Sequence, residues 1–230
     1  MEKATRSSGV KLMIAGALRF GIGMILLGLI LFLCAGSLDY RKAWLYLITF
    51  SGLILAFGVY LLLSDQELLA KRLNTKENES QQKIYILVSG ISFILTFCIS
   101  GWDYRFGWST VPRVLVLCAW VLMVGGYGLF VITIRQNRFA SRVVEVQEGQ
   151  KVIDTGVYSL VRHPLYSAAV IMFFASPVVL GSYVAIIPML FYLGGIIARI
   201  KSEEELLAQE LPGYKDYLKK VKYRLIPYIW

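Results

Sequence analysis

Histidine occurs once in 230 residues, at position 163, and cysteine three times, at 34, 98 and 118. One imidazole and three thiols without ligand spacing argue against a protein-built transition-metal site. The cysteines lie within apolar runs, where they read as buried structural thiols and not as a disulfide framework. Charged residues are scarce too, at 17%, where a soluble domain carries roughly a quarter. A Ser–His–Asp hydrolase is excluded, since no serine sits in a strained elbow and proline follows the lone histidine. Gly125-Gly126-Tyr127-Gly128 lies inside an apolar run, outside the strand–turn–helix setting of a dinucleotide fingerprint. Small residues there predict close helix packing instead.

What is abundant is apolar: 57% of the chain, gathered into uncharged runs. Candidate spans cover 13–36, 43–63, 84–100 and 111–134. A fifth apolar region, 167–200, is broken by Gly181-Ser182 and carries Pro177 and Pro188. Each half is 15 to 19 residues, short for a hydrocarbon core of about 30 Å. The region is therefore expected to form a helical hairpin whose ends return to one side. Arg19 interrupts the first run and no small-residue cleavage site follows, so no cleavable signal peptide is expected. The fold class predicted is an all-α integral membrane protein. It has four transmembrane helices in 1–134, then a surface segment, a hairpin and a tail in 135–230.

Orientation follows from the basic residues. With both chain ends and the hairpin ends inside, 20 Lys and Arg fall inside, and only Arg41, Lys42, Arg105 and Arg113 fall outside. That split predicts cytoplasmic termini. The net charge of +9 is then explained by orientation and anionic lipid, and implies no nucleic-acid partner. Ser64–Lys83 reads as a solvated helix end followed by a loop. Trp102–Trp108 reads as an aromatic interfacial loop. Asn137–Phe139, Val144–Gln147 and Glu148-Gly149-Gln150 form a polar surface segment that leads to Gly156. Pro164 suits the first turn of the helix opening the hairpin, and Pro212-Gly213 should stop the helix that leaves it. The tail Tyr214–Trp230 interleaves basic and aromatic residues, as expected for a segment on headgroups.

On one helix Arg199 and Glu203 share a face. Alone they read as an i,i+4 ion pair, with Ser202-x-x-Glu205 imitating a capping box. The hairpin, however, should bring His163, Tyr166, Arg199 and Glu203 to the same end. A partly desolvated polar cluster at a membrane edge is a functional candidate.

Gly156-x-Tyr158-x-x-x-Arg162-His163-Pro164-x-Tyr166, then Arg199-x-x-x-Glu203-Glu204-x-x-Leu207, then Tyr214-x-x-Tyr217 resembles the isoprenylcysteine carboxyl methyltransferase family. The wider group includes phospholipid methyltransferases. Leu69-x-x-Arg72, Arg105-Phe106-Gly107-Trp108-Ser109 and Asn137-x-Phe139 resemble its bacterial branch. Gln150 stands where eukaryotic members have His, and Ala168 where Gly is frequent. The resemblance implies S-adenosylmethionine as methyl donor, bound on the cytoplasmic side by a catalytic region at 135–230. It implies Gln147, Val152, Ile153, Tyr158, His163, Pro164, Leu165, Tyr166 and Glu203 around the cofactor, and Arg199 toward the acceptor. Arg199 and Glu203 would be the catalytic pair. The partner implied is a lipophilic small molecule or lipid taken from the bilayer, such as a prenylcysteine-like carboxylate. The setting implied is a prokaryotic plasma membrane. A carboxylate needs no base, whereas an amine acceptor would turn His163 or Glu204 into one. Two other readings stay open. Tyr223-Arg224-Leu225-Ile226-Pro227-Tyr228 resembles the ending of membrane reductases of the sterol-reductase type, which use NADPH. A non-catalytic scaffold is the third; a transporter is disfavoured, because spans 1–4 hold no mid-membrane carboxylate.

Overall fold

The computed structural model describes residues 2–73, 80–139 and 146–230, without the side chains of residues 2–12, 71, 73 and 80–83. Its elements are helical: α1 (Glu2–Ala35), α2 (Arg41–Ser64), α3 (Gln66–Leu73), α4 (Ser80–Phe106), α5 (Arg113–Gln136), α6 (Pro164–Leu180), α7 (Ile187–Glu210) and α8 (Tyr214–Lys220). Among the described residues five stretches are long and apolar enough to cross a membrane: Met13–Ala35, Arg41–Ser64, Ile84–Phe106, Arg113–Gln136 and Val184–Glu210. Large apolar side chains stand on their outer faces, with Leu33 72%, Leu63 82% and Val114 70% exposed. Contiguous apolar surface of that kind is what lipid, and not water, covers.

The hairpin forms as expected, with its second arm running on until just before Pro212-Gly213. Its first arm, α6, has 17 residues and its second, α7, has 24. At 1.5 Å per residue α6 spans only about 25 Å, whereas α7 continues past the apolar run to Glu210. Arg199, Glu203 and Glu204 are helix-compatible and find partners within the fold, so α7 runs past residue 200. Ser202 accordingly lies mid-helix and caps nothing. Gly181 ends α6 with φ +85°, a left-handed conformation open to glycine, and its N–H bonds the carbonyls of Pro177 and Val178.

A difference concerns Trp102–Trp108. These residues are not a loop: α4 runs to Phe106 and stops at Gly107, φ +68°. Asp103 is 2% exposed. It accepts hydrogen bonds from the Ser109 N–H and hydroxyl, both 2.6 Å, and from the Ser182 hydroxyl. The Tyr40 hydroxyl adds a bond to the Leu180 carbonyl at 2.6 Å. The hairpin turn is thus clasped by α4.

α6 packs most extensively against α5, while α4 packs against α1 and α7. Gly126 permits the first contact, because a Cβ there would lie 3.1 Å from the Met172 nitrogen and 3.2 Å from the Ala168 oxygen. Gly125 and Gly128 meet nothing within 4 Å, so one glycine of the three does the work expected of the cluster. Lys42 approaches Gly181, and Arg105 approaches Gly36. Three of the four basic residues assigned to the outer face, Arg41, Lys42 and Arg105, therefore cluster at the turn end of the hairpin.

Within Ser64–Lys83 the structure forms a distinct short helix, α3. Asp65 starts it, accepting from the Leu68 N–H at 3.1 Å, and is itself held by Arg138. Residues 74–79 of that expected loop, with Val144 and Glu145 of the surface segment, lie outside the described residues.

Candidate active site

The chain leaves α5 at Gln136, turns through a 3-10 segment at Gly156–Ser159, and enters α6 at Pro164 with His163 as the preceding residue. Proline suits that first turn because its missing N–H is one that no helix would satisfy. Gly156 takes φ +58° beside the Gln136 side-chain amide, which accepts from the Val157 N–H at 3.0 Å.

The C-terminal tail then folds back on this entrance. The Arg162 N–H donates to the Tyr223 carbonyl at 2.9 Å and the His163 N–H to the Arg224 carbonyl at 3.0 Å. Tyr214, Tyr217, Val221 and Leu225 are all buried. The tail is thus also a tertiary element, with Ile226, Tyr228 and Ile229 left exposed on its outer side. Backbone N–H groups near the buried start of α6 need acceptors, and the tail carbonyls provide them.

Glu204 is the knot. It is 7% exposed and accepts from Arg162 Nε at 2.6 Å and Arg224 Nε at 2.8 Å, with His163 Nε2 at 3.2 Å. Arg162 also donates to the carbonyls of Val221 and Lys222. A carboxylate held by two guanidinium groups is unsuited to accept a catalytic proton, which removes Glu204 from the role of base for an amine acceptor. His163, with its ring nitrogen on Glu204, is fixed by the same knot.

One turn away the chemistry changes. The Tyr166 hydroxyl donates to Glu203 Oε2 at 2.7 Å and accepts from Arg199 Nε at 2.8 Å. The Arg199 guanidinium lies 4.6 Å from the Tyr85 ring centroid, in cation–π position. Arg199 and Glu203 are thus linked through a tyrosine from the opposite arm of the hairpin, where the sequence suggested a direct pair.

Around these groups runs a cavity with about 100 Å³ for the centres of water-sized molecules and about 820 Å³ of empty space in all, mouth included. Of the residues expected at the cofactor, Val152, Ile153, Tyr158, His163, Pro164, Leu165, Tyr166 and Glu203 line it, and so does Arg199. Gln147 is not among the lining residues. Its amide donates to the Phe139 carbonyl at 2.8 Å, and its backbone N–H donates to the Gln150 side chain, which does face the cavity. Asn137, Phe139, Lys151, Arg162, Tyr214 and Tyr217 complete much of the wall without having been singled out as site residues. Their signal was present, in Asn137-x-Phe139 and Tyr214-x-x-Tyr217, but nothing local says that these segments converge.

Tyr158 shows how they do. Its hydroxyl accepts from Asn137 Nδ2 at 3.0 Å and its carbonyl accepts from the Tyr217 hydroxyl at 2.7 Å. Burial pushes its phenol up to about 12, and burial likewise raises Tyr214 and Tyr217. These hydroxyls stay neutral across the physiological range. On the outside Lys220 donates to Asp154 at 2.6 Å and holds that carboxyl below its usual range. The pair pins α8 to the 151–155 segment of the wall.

A second cavity lies between α3, α4, α6 and α7 and shares Leu165, Tyr166 and Arg199 with the first. It offers about 440 Å³ for water-sized centres and is walled mainly by aromatic and apolar residues, Phe93, Phe173 and Tyr192 among them. Glu203 lines the first cavity and not the second.

Comparison with curated proteins gives no match. Residues 115–209 match the model of the isoprenylcysteine carboxyl methyltransferase (ICMT) family, a stretch that runs from the first turn of α5 to the last turn of α7 and holds the His163–Tyr166 entrance, Arg199 and Glu203. Over this segment, which is less than half of the chain, the helical membrane protein is similar to the isoprenylcysteine carboxyl methyltransferase family.

Proposed function

We propose that the protein transfers a methyl group from S-adenosylmethionine to a lipophilic acceptor drawn from the bilayer, with a carboxylate as the receiving group. The observation that carries this reading is the meeting of two cavities at Leu165, Tyr166 and Arg199. A two-substrate displacement needs donor and acceptor to approach from opposite sides of one point. The polar-walled cavity suits the donor and the aromatic one the acceptor.

The residues present fit such a donor. Its cationic, amino-acid-bearing end calls for a carboxylate and hydrogen-bonding groups, which Glu203, Gln150 and Asn137 offer. Its flat base calls for apolar walls, which Val152, Ile153 and Leu211 offer. Bound there, the donor supplies an electrophilic methyl group on a sulfonium, and no covalent enzyme intermediate is needed. Tyr166 acts as a fixed post: two charged partners hold its hydroxyl, so its ring is a rigid divider between the cavities. Glu203 sets negative potential on the donor side. Arg199 lines both cavities, and its planar guanidinium suits an acceptor carboxylate. His163 is a positioning residue, held by Glu204. A carboxylate acceptor is ionised at neutral pH, so the commitment of Glu204 to two arginines costs the reaction nothing.

The ending shared with sterol-type reductases has a structural job here, because Arg224 clamps Glu204 and the Tyr223 and Arg224 carbonyls pair with the α6 entrance. Its recurrence therefore does not favour hydride transfer. Orientation belongs to the same proposal. The site end of the bundle carries most of the basic residues and faces the cytoplasm, as in the plasma membrane of a prokaryote.

Titration of the purified full chain with S-adenosylhomocysteine and, separately, with NADPH tests the reading. The demethylated donor should bind, and Tyr166→Ala should weaken it several-fold, as expected for loss of a hydrogen bond worth about 0.5–1.5 kcal/mol plus ring contact. Arg199→Lys should retain donor binding yet lose tritiated-methyl incorporation into a native lipid extract. Binding of NADPH with no binding of the donor would overturn the proposal.

A further inference from the structure

Three buried polar atoms of the second cavity have no hydrogen-bond partner: Nε and Nη2 of Arg72, and the hydroxyl of Ser89. Tyr46 contributes the one other such atom among the described residues. Native proteins leave few buried polar groups unsatisfied, so three in a single chamber single it out. Arg72 comes from α3 and Ser89 from α4, so two elements aim donors at the same space.

Arg72 has no ion pair among the described residues. Its guanidinium lies 5.5 Å from the Phe130 ring centroid, a contact with an aromatic face and not with an anion. Burial lowers its pKa to about 10, offset in part by the nearby Tyr158 and Tyr166 hydroxyls. It remains a cation at neutral pH, and those two tyrosines place it near the junction of the cavities. Arg199 lines the same chamber from α7. Arg199 is already engaged there through Tyr166, so Arg72 is the cation whose side-chain donors stay open to an entering anion. The remaining walls are aromatic and apolar, with Phe93, Phe173 and Tyr192 among them.

We propose that Arg72 and Ser89 form an anion-binding site for the head of the acceptor, which is an amphiphile with a carboxylate or phosphate head and an apolar chain. The proposal rests on the reading of this chamber as the acceptor side of a methyltransferase. Arg72 grips the head as a fork, Ser89 donates one further hydrogen bond, and the chain lies along the aromatic walls. A neutral head such as an ester can accept a hydrogen bond but leaves the buried Arg72 charge uncompensated, so the site selects against it.

The test uses the full chain in maltoside micelles with three probes of one chain length: oleate, methyl oleate and oleyl phosphate. The wild type should bind the better of the two anions at least tenfold more tightly than the neutral ester, and the tighter anion identifies the head. Arg72→Met should reduce that preference to about threefold or less, and Ser89→Ala should reduce it about two- to threefold. Both variants should bind S-adenosylhomocysteine within twofold of wild type. Without ligand, Arg72→Met should melt at or above the wild-type temperature, because it removes an unpartnered buried charge. Equal binding of anion and ester by the wild type, or an undiminished preference in Arg72→Met, would overturn the proposal. So would a lowered ligand-free melting temperature, since it would make Arg72 a structural residue. Anion preference without donor binding would refute methyl transfer and leave the anion site standing; donor binding without anion preference would do the reverse.

Discussion

Glu203 and Glu204 are neighbours in the chain, and exchanging each for glutamine should damage different properties. Glu204 accepts from two arginines at 2.6 and 2.8 Å and lies 3.2 Å from His163 Nε2. Removing its charge leaves Arg162, 7% exposed at its side chain, without a counterion. Breaking a buried pair in this way costs about 3–5 kcal/mol. Arg224 is 32% exposed at its side chain and can recover some hydration, which points to the lower end, about 3 kcal/mol. For a chain of this size each kcal/mol moves the melting temperature by about 2–4 °C. Glu204→Gln should therefore melt about 6–12 °C below wild type, and the tail should become protease-sensitive because its clamp is gone. Glu203→Gln keeps an acceptor for the Tyr166 hydroxyl but removes the negative charge at the cavity wall. It should melt within about 2 °C of wild type while donor affinity falls several-fold. Thermal unfolding in detergent, paired with S-adenosylhomocysteine titration, reads both quantities. If Glu204→Gln melts like wild type, or if Glu203→Gln is the less stable of the two, the division of roles between these residues is wrong.

Three further outcomes follow from the same geometry. In a background lacking the three native cysteines, Thr110→Cys should label from outside intact cells and Glu148→Cys should not; both positions are exposed and avoid the left-handed Gly107 and Gly149, and the reverse pattern would invert the orientation. Tyr158 titrates higher in the fold, at about 12, than the roughly 10 of an unfolded chain, so the folded state holds its proton more tightly. Its contribution is fully present below pH 10 and fades as pH rises toward 12, and Tyr158→Phe should flatten the decline of melting temperature across that window. Gly126→Val should cost about 1–3 kcal/mol by forcing α5 and α6 apart, whereas Gly125→Val, which meets nothing within 4 Å, should be nearly silent in the same unfolding assay.

The sequence determined the class of this protein and the neighbourhood of its site. Uncharged apolar runs can satisfy their backbone in lipid only as helices, so the spans followed from composition and length alone. The pairing of His163–Tyr166 with Arg199–Glu203 was legible because a hairpin broken at Gly181 must return its ends to one side. Tertiary structure decided who touches whom. Arg199 and Glu203 share a helix face, yet Tyr166 from the other arm joins them, and helical periodicity cannot report a residue 33 positions away. Glu204 and Glu203 look alike in sequence. The hundred-degree turn between successive helical residues sends one into the Arg162–Arg224 knot and the other to the cavity wall. Trp102–Trp108 was misread as a loop, and the packing of Tyr214–Trp230 on the α6 entrance was not foreseen, for a related reason: aromatic and basic residues suit a membrane interface and a packed wall equally well. Only long-range hydrogen bonds, such as Ser182 to Asp103 and His163 to Arg224, distinguish the two. Arg72 was visible as one letter in a short motif, and its unpartnered burial beside Ser89 exists only where α3, α4 and the hairpin close around a common chamber.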